Sequence, residues 1–520
     1  MQIFHGKIIT CDDNNAVHNY LVEDAGKIVY CGDKFPQAYK HCQDTISLDG
    51  RVLMPAMGDG HIHFSNWALF NSTFDVRRAK SFDDIAAVIL EYAERNKRSK
   101  MLIGYGYTRH LIREGKLINR VDLDAIEKKR PVYLVSYDGH SAVANSSAIG
   151  LIPSEIRDLK GFQLDTGYIG GDAFYKATAY LASKINVLFL LRCLLKGLDK
   201  LAAYGVGAIN TVEGVGYYRD MDVDMVRFLS RGVEPEIRIS FQTTDLEKVL
   251  KRKMKRIGGC FACSLDGCFN GQSASLLEPY SNSENNFGTL HFSDQAITDF
   301  VIGVNRAGLQ VQLHCVGDAA VTQAVNALEA ALIEYPRLDH RHQLIHAVLI
   351  PDRVMEKISR LGILVSAQPA ALDLSVEPYS FREEILGGRA AYHTPLRDMI
   401  DAGVLVNGSS DAPVNIPDPI EGIYAACNHY NGRQSVSIQE ALRMYTYNVA
   451  YAAFDEEERG SLEKGKKADM VILNRDPLMM DAKDLLQLKV EKMYLAGEEY
   501  KEGKSIGQTL WSSIKSSIRT

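Results

Sequence analysis

The run Met54-Pro55-Ala56-Met57-Gly58-Asp59-Gly60-His61-Ile62-His63-Phe64 joins an apolar approach to two histidines that are one residue apart. Successive side chains of a strand point to opposite faces, so His61 and His63 lie on the same face, where two imidazoles can converge on one ion. An isolated pair of this kind is more often a pair of surface or loop histidines. The apolar approach and the further histidines along the chain favour a metal site.

Ligand-type side chains also end three later predicted strands. His314 and His346 stand at the ends of apolar segments, and Asp411 follows the last such segment in Gly408-Ser409-Ser410-Asp411-Ala412-Pro413. In a barrel, reactive side chains lie at the carboxyl ends of the strands. Imidazole nitrogens with one carboxylate suit a divalent ion, with zinc favoured and iron, manganese or nickel also compatible. The predicted metal ligands are His61, His63, His314, His346 and Asp411.

The order of the predicted elements indicates the fold class. Over most of the chain helices alternate with apolar strands, and with the strand that carries His61 there are eight such strands. The 520 residues exceed one ordinary core but suit a large barrel with a smaller domain. We predict an α/β fold: a (β/α)8 TIM-like barrel over 55–456, with an insertion at about 73–186 that covers the barrel mouth. The strand-like ends, 1–54 and 457–505, are predicted to form a small β-sandwich domain.

Composition narrows the classes of partner. The chain is 46% apolar and its net charge is -6, so it has no general attraction for nucleic acid or an anionic membrane. Its one basic cluster, Lys248 to Arg256, has helical spacing and is interpreted as a solvated helix face. No stretch reaches the ~20 apolar residues that span a bilayer, and residues 1–10 lack a signal-peptide core. We expect a cytoplasmic protein that acts on a small molecule, and assembly into a homo-oligomer stays open.

The candidate ligands favour hydrolysis. A divalent ion lowers the pKa of bound water from ~15.7 toward ~7 and can polarise a carbonyl. Asp411 is the expected general base, which would orient the water, take its proton and pass it to the leaving nitrogen. His346 would either bind the metal or stabilise the developing oxyanion. His140 is a candidate substrate contact, with an ordinary structural histidine as the alternative.

Motifs from one end of the chain to the other carry a family resemblance. They are Asp59-Gly60-His61-Ile62-His63, Asp138-Gly139-His140-Ser141-Ala142-Val143-Ala144-Asn145-Ser146, Leu276-Leu277-Glu278-Pro279-Tyr280, Gln312-Leu313-His314-Cys315-Val316-Gly317-Asp318, Ser366-Ala367-Gln368-Pro369, Gly408-Ser409-Ser410-Asp411-Ala412-Pro413 and Gly460-Ser461-Leu462-Glu463-Lys464-Gly465-Lys466-Lys467-Ala468-Asp469. In these motifs the chain resembles the amidohydrolase superfamily, and within it the YtcJ-like branch that includes N-substituted formamide deformylases. The resemblance implies a distorted (β/α)8 barrel, a small β-sandwich from both termini, and metal ligation by the five residues named above.

The first departure from the family pattern affects the number of metal ions. Relatives have Val-Lys-φ-φ-φ-Asp-Gly on the fourth strand, and a carboxylated lysine there can bridge two metals. This chain reads Phe261-Ala262-Cys263-Ser264-Leu265-Asp266-Gly267, with Ala262 at the lysine position. Cys263 as a bridging thiolate is the lesser alternative. One ion is therefore favoured over two, held by His61, His63, His314 and Asp411.

The second departure concerns His346. Relatives have Arg-Ile-Glu-His-Ala where this chain has Gln343-Leu344-Ile345-His346-Ala347, so an acidic partner for the histidine is missing.

The sequence predicts a metal-dependent hydrolase of a non-peptide C–N bond in an amide, N-acyl or N-formyl amine. Two alternatives stay open: a deaminase of a cyclic amidine or heterocycle, and a non-catalytic regulatory protein on a hydrolase scaffold.

Overall fold

A computed structural model describes residues 1–108, 111–137, 139–374 and 377–519, so Asp138, which opens one of the motifs above, lies outside the described residues. The strands are β1 (Gln2–Ile9), β2 (Val17–Asp24), β3 (Lys27–Gly32), β4 (Thr45–Pro55), β5 (Met57–Ile62), β6 (Phe74–Asp75), β7 (Leu102–Tyr107), β8 (Val132–Ser136), β9 (Ser141–Ala144), β10 (Tyr168–Gly170), β11 (Val206–Glu213), β12 (Glu236–Phe241), β13 (Arg256–Ser264), β14 (Gln310–Cys315), β15 (Gln343–His346), β16 (Leu364–Ala367), β17 (Val406–Gly408), β18 (Met470–Leu473), β19 (Val490–Leu495) and β20 (Glu498–Glu499). The helices are α1 (Phe64–Asn71), α2 (Phe82–Arg95), α3 (Arg120–Ile126), α4 (Ser146–Leu151), α5 (Ser154–Arg157), α6 (Gly171–Ala182), α7 (Val187–Ala203), α8 (Met221–Leu229), α9 (Leu246–Lys251), α10 (Asp294–Arg306), α11 (Asp318–Glu334), α12 (Asp352–Leu361), α13 (Tyr379–Leu386), α14 (Leu396–Asp401), α15 (Pro419–Cys427), α16 (Ile438–Met444), α17 (Tyr447–Ala452) and α18 (Ile506–Arg519).

The central sheet is a nearly closed parallel barrel. Within the described ranges it contains eight strands in the order β5-β11-β12-β13-β14-β15-β16-β17. The two edge strands meet just beyond β17, where the Asp411 N–H donates to the His61 carbonyl and the His63 N–H donates to the Ala412 carbonyl, each at 2.9 Å. The predicted α/β class and TIM-like barrel are confirmed.

Strand β14 illustrates how the barrel positions site residues. The whole strand is buried, because surrounding helices cover one set of alternate side chains and the barrel interior takes the other. Val311 and Leu313 pack in the main apolar core with residues of α10 and α11. His314 belongs to the alternate set, so its imidazole points into the barrel.

Two further sheets flank the barrel. The first has the order β20-β19-β18-β4-β1-β2-β3 and thus contains strands from both ends of the chain. The boundaries of the predicted β-sandwich domain, 1–54 and 457–505, stay a prediction. The second has the order β10-β9-β8-β7-β6 and lies between the first two barrel strands in sequence. It contacts the barrel rim through Arg77, whose Nη1 donates to the Pro413 carbonyl at 3.1 Å.

Among the helices of the described residues, none is by itself both long and apolar enough to cross a membrane. Helices α6 and α7 reach that length and hydropathy only together, and they meet at an angle of 104°.

Candidate active site

Three of the predicted ligands converge at the closing edge of the barrel. His61 Nε2 lies 3.2 Å and His63 Nε2 lies 3.3 Å from Asp411 Oδ1. Within the described part of the chain, Asp411 Oδ1 is buried and has no hydrogen-bond partner. Two ligand atoms bound to one zinc ion at tetrahedral angles stand roughly 3.4 Å apart, given bonds of about 2.0–2.2 Å. The spacing therefore fits atoms that share an ion.

Backbone contacts set the positions of these side chains. Asp59 accepts the His61 N–H at 3.1 Å and the Ser410 N–H at 3.0 Å, so one buried carboxylate joins β5 to the turn after β17. Within that turn Asp411 has a φ of 55°, a left-handed conformation that costs a non-glycine residue free energy. The turn thereby directs the Asp411 carboxylate toward the two histidines.

A fourth side chain, Cys260, completes this cluster. Its Sγ lies 3.1 Å from His61 Nε2 and 3.6 Å from His346 Nε2. The potential ligand atoms of His61, His63, Cys260 and Asp411 all lie within 4.8 Å of one another, and all four residues are buried. The sequence analysis did not identify Cys260 as a ligand of this site. It named Cys263 instead as the less favoured candidate for a bridging thiolate.

Strand β13 carries Cys260 into the site through an irregularity. Gly259 pairs with Leu313 and Ser264 with the next residue, His314, so four residues of β13 bulge out between them. Gly258 has a φ of 103°, and a Cβ there would lie 2.1 Å from the Gln312 carbonyl oxygen, which only glycine avoids. Cys263 instead points its Sγ toward the Thr243 carbonyl, 3.8 Å away. The Gly258-Gly259 pair is the sequence signal that could have indicated the bulge.

His314 stands beside the cluster. Its Nδ1 lies 3.1 Å from Ser264 Oγ and 3.5 Å from Asp266 Oδ1. Asp266 is fully buried and accepts backbone N–H groups from Ser275 and Gly317, each at 2.8 Å. A carboxylate held in this way fixes the histidine ring and leaves Nε2 available as a ligand atom.

His346 has a hydrogen-bond partner that determines its tautomer. Its Nδ1 lies 2.7 Å from Gln368 Oε1, while Gln368 Nε2 donates to the Ser366 carbonyl at 3.0 Å. That carbonyl can only accept, so the amide orientation is determined and His346 must donate from Nδ1. The Nε2 lone pair then faces Cys260. The sequence analysis found no acidic partner for His346. Gln368 serves instead as the hydrogen-bond acceptor of its Nδ1–H.

The tautomer leads to a first prediction. Gln368→Leu removes the acceptor that orients His346, and we expect metal affinity or activity to fall about 10- to 100-fold, the usual effect of losing such a partner. Metal competition titrations and steady-state kinetics measure the change. Gln295→Leu, at an exposed position of α10, is the control and should match the parent. Unchanged metal affinity and activity in Gln368→Leu would show that the hydrogen bond has no such role.

The charge states of the cluster suit metal ligation. Burial opposes ionisation of Asp411, but the His61 and His63 imidazoles outweigh it and hold its pKa well below the ordinary value. Burial, together with the neighbouring His314, lowers the pKa of His346 to about 3. Burial also lowers the pKa of His61. The site therefore presents the ionised Asp411 carboxylate beside the neutral imidazoles of His61 and His346 at neutral pH.

The cluster opens into a cavity of about 200 Å³. Its walls are largely apolar and aromatic, and they come from both the barrel and the flanking five-stranded sheet. His140 lies on this wall: its Nδ1 is 3.1 Å from the Tyr175 hydroxyl, and its ring centroid is 5.5 Å from that of Phe261. Aromatic residues of the wall are Phe70, Tyr105, Tyr137, Phe174, Tyr175, Phe261 and Phe269. The role of His140 as a substrate contact stays a prediction.

Comparisons with known proteins agree with this architecture. Over 495 residues the chain is 26% identical to YtcJ of Bacillus subtilis, and the match covers 88% of this chain and 90% of that protein. It is 24% identical over 547 residues to N-substituted formamide deformylase of Arthrobacter pascens, with 96% and 97% covered. An uncharacterized metal-dependent hydrolase from Pyrococcus furiosus superposes with a TM-score of 0.75 at 25% identity, over 92% of this chain and 99% of that one.

The family assignment follows from a match over most of the sequence. Residues 44–500 match the model of the amidohydrolase family, a span that contains the barrel and every residue of the cluster. The predicted resemblance is confirmed: this chain belongs to the amidohydrolase family.

Proposed function

We propose that the protein is a metal-dependent hydrolase that cleaves a non-peptide C–N bond in an amide, N-acyl amine or N-formyl amine. The observation that carries the proposal is the convergence of His61, His63 and Asp411 at the carboxyl-end rim of the barrel with Cys260 from the bulge in β13, with ligand atoms within 4.8 Å. Family membership supports the same reaction class. The relative from Arthrobacter pascens is named for deformylation of N-substituted formamides.

The cluster fits a single zinc ion. Imidazole nitrogens, a thiol sulfur and a carboxylate oxygen are the donors that zinc takes in proteins, and the buried Asp411 Oδ1 lacks a hydrogen-bond partner among the described residues. The residues that would hold the ion are His61, His63, Cys260 and Asp411, joined by His346, whose Nε2 lies 3.6 Å from Cys260 Sγ, and His314 stands beside them. When bound, the ion polarises the substrate carbonyl and makes a water molecule acidic.

The side chains of this chain supply the proton transfers. Asp411 is ionised, so its carboxylate can orient water, accept a proton and deliver it to the leaving nitrogen. His346 is neutral at pH 7 and its only N–H is engaged by Gln368. It therefore has no proton to offer a developing oxyanion, and of its two predicted roles we propose that of a ligand through Nε2.

The cavity supports a particular substrate class. Its aromatic wall favours an amine with an apolar or aromatic substituent, and a volume of about 200 Å³ accommodates a small compound. His140 and Tyr175 form a polar contact on this wall, and we propose that they bind a polar group of the substrate.

Metal analysis and a substrate screen test the proposal. We expect about one equivalent of zinc after purification without chelators, and hydrolysis of N-formyl or N-acyl arylalkylamines that chelation abolishes and zinc restores. Metal-free protein without hydrolytic activity would contradict the proposal and favour a regulatory protein. Ammonia release from an aminated heterocycle, with no amide cleavage, would favour the deaminase. The regulatory alternative rested on a missing lysine and glutamate, but Cys260 offers a thiol beside His61 and Gln368 accepts the His346 N–H.

A further inference from the structure

A second cavity, of about 510 Å³, lies at the opposite end of the barrel. Its lining includes Ile237 and Arg238 at the start of β12, Arg256 at the start of β13 and Gln310 at the start of β14. These are the amino ends of three barrel strands, whereas His61 and His63 at the end of β5 and Asp411 after β17 lie at the carboxyl-end rim of the same barrel. The cavity is therefore separated from the active site by the length of the barrel strands.

The lining of this cavity is strongly cationic, although the whole chain carries a net charge of -6. Asp455 is the one carboxylate among the lining residues that the structure describes. The cationic lining residues are Arg227, Arg231, Arg238, Lys253, Lys255, Arg256 and Arg337. A concave surface with one sign of charge concentrates ligands of the opposite sign, so the cavity favours an anion.

Few of these cations are paired within the protein. Arg238 contacts Glu236 at 2.8 Å and also pairs with Asp455, and Arg227 lies 3.9 Å from Asp224. Among the described residues, no carboxylate lies within 4.0 Å of the other five cations, which are Arg231, Lys253, Lys255, Arg256 and Arg337. The basic cluster that the sequence analysis interpreted as a solvated helix face is thus divided. Lys248 and Lys251 pair with acids on the protein surface, whereas Lys253, Lys255 and Arg256 line the cavity.

Arg256 forms the buried end of the cavity. It is 6% exposed, its Nη1 lies 3.5 Å from Asn210 Oδ1, and its Nη2 donates to the Ala453 carbonyl. Burial, and then the positive charge of Arg238, lowers its pKa to about 10. A buried charge that contacts only neutral groups is costly, and a bound anion would offset that cost.

Part of the remaining lining is apolar and includes an exposed ring. Phe454 is 42% exposed at the cavity, and Met254 and Ile239 line the same space. An inorganic anion would leave this apolar surface without contacts. An organic phosphate would contact both the cationic side chains and the apolar surface. We propose that the cavity binds a phosphate ester, with its phosphate groups on Lys253, Lys255 and Arg256 and its organic part against Phe454. This site is independent of the hydrolytic reaction.

Calorimetric titration tests the proposal on the full-length protein at 0.15 M salt, with ADP, inorganic pyrophosphate and adenosine as probes. We expect saturable ADP binding, weaker binding of pyrophosphate and none of adenosine. The double variant Lys253→Gln/Lys255→Gln should weaken ADP binding at least 10-fold. Its matched control, Lys248→Gln/Lys251→Gln, removes the same charge outside the cavity and should stay within 2-fold of the parent.

Two results would overturn the proposal: no saturable ADP binding, or equal weakening in the test and control variants. Pyrophosphate that binds as tightly as ADP would overturn the assignment of an ester. Asp411→Asn should bind ADP like the parent because Asp411 lies at the other end of the barrel. ADP binding that Asp411→Asn abolishes would place the ligand in the active site and contradict the second site.

Discussion

Asp411→Asn is expected to lower the rate of C–N hydrolysis by about 10²- to 10⁴-fold, the range that a positioned general base contributes. The asparagine amide cannot accept the proton of water, and it replaces an ionised ligand atom with a neutral one. The change preserves side-chain size. It also leaves the backbone hydrogen bond from residue 411 to the His61 carbonyl intact, so the barrel should still close.

Single-turnover kinetics on the substrate found in the screen measure this effect, with metal content determined on the same sample. Asp401→Asn is a matched control, because Asp401 is exposed at the end of α14 and outside the cavity. The control should retain the parent rate. If Asp411→Asn hydrolysed the substrate at the parent rate with full metal content, Asp411 would not be the base.

Cys260→Ser is expected to weaken zinc binding by at least about 100-fold, because losing even an outer partner of a ligand costs 10- to 100-fold. Burial raises the pKa of the Cys260 thiol well above its ordinary value in the absence of an ion. Zinc binding must therefore release the thiol proton, and we expect zinc affinity to rise with pH more steeply in the parent than in Cys260→Ser.

Cobalt substitution provides a readout that packing alone would not change. The parent should show a thiolate-to-cobalt charge-transfer band, and Cys260→Ser should lack it. Cys263→Ser is the control, since this sulfur is equally buried but faces the Thr243 carbonyl, and it should retain the band and the metal. A band that persists in Cys260→Ser, or that only Cys263→Ser removes, would assign the thiolate ligand to another residue.

Local sequence patterns were sufficient to predict the barrel and several residues at its carboxyl end. Alternation along a strand is a property of neighbouring residues, so His61 and His63 could be placed on one face without knowledge of the rest of the chain. The same holds for His314, whose position relative to Val311 and Leu313 directs it inward. In a parallel barrel the carboxyl ends of all strands meet at one rim, and the ends of strands distant in sequence therefore come together.

Tertiary structure alone decided which side chains complete the cluster. Counting from the family motif led to Ala262 and Cys263, because such counting assumes a regular strand. The bulge in β13 breaks that alternation and brings Cys260 to His61. Likewise, Gln368 meets His346 only because adjacent strands place their ends side by side. Periodicity along the chain thus determined the barrel and its first histidine pair, whereas contacts between strands, which no local pattern encodes, determined the donors around them.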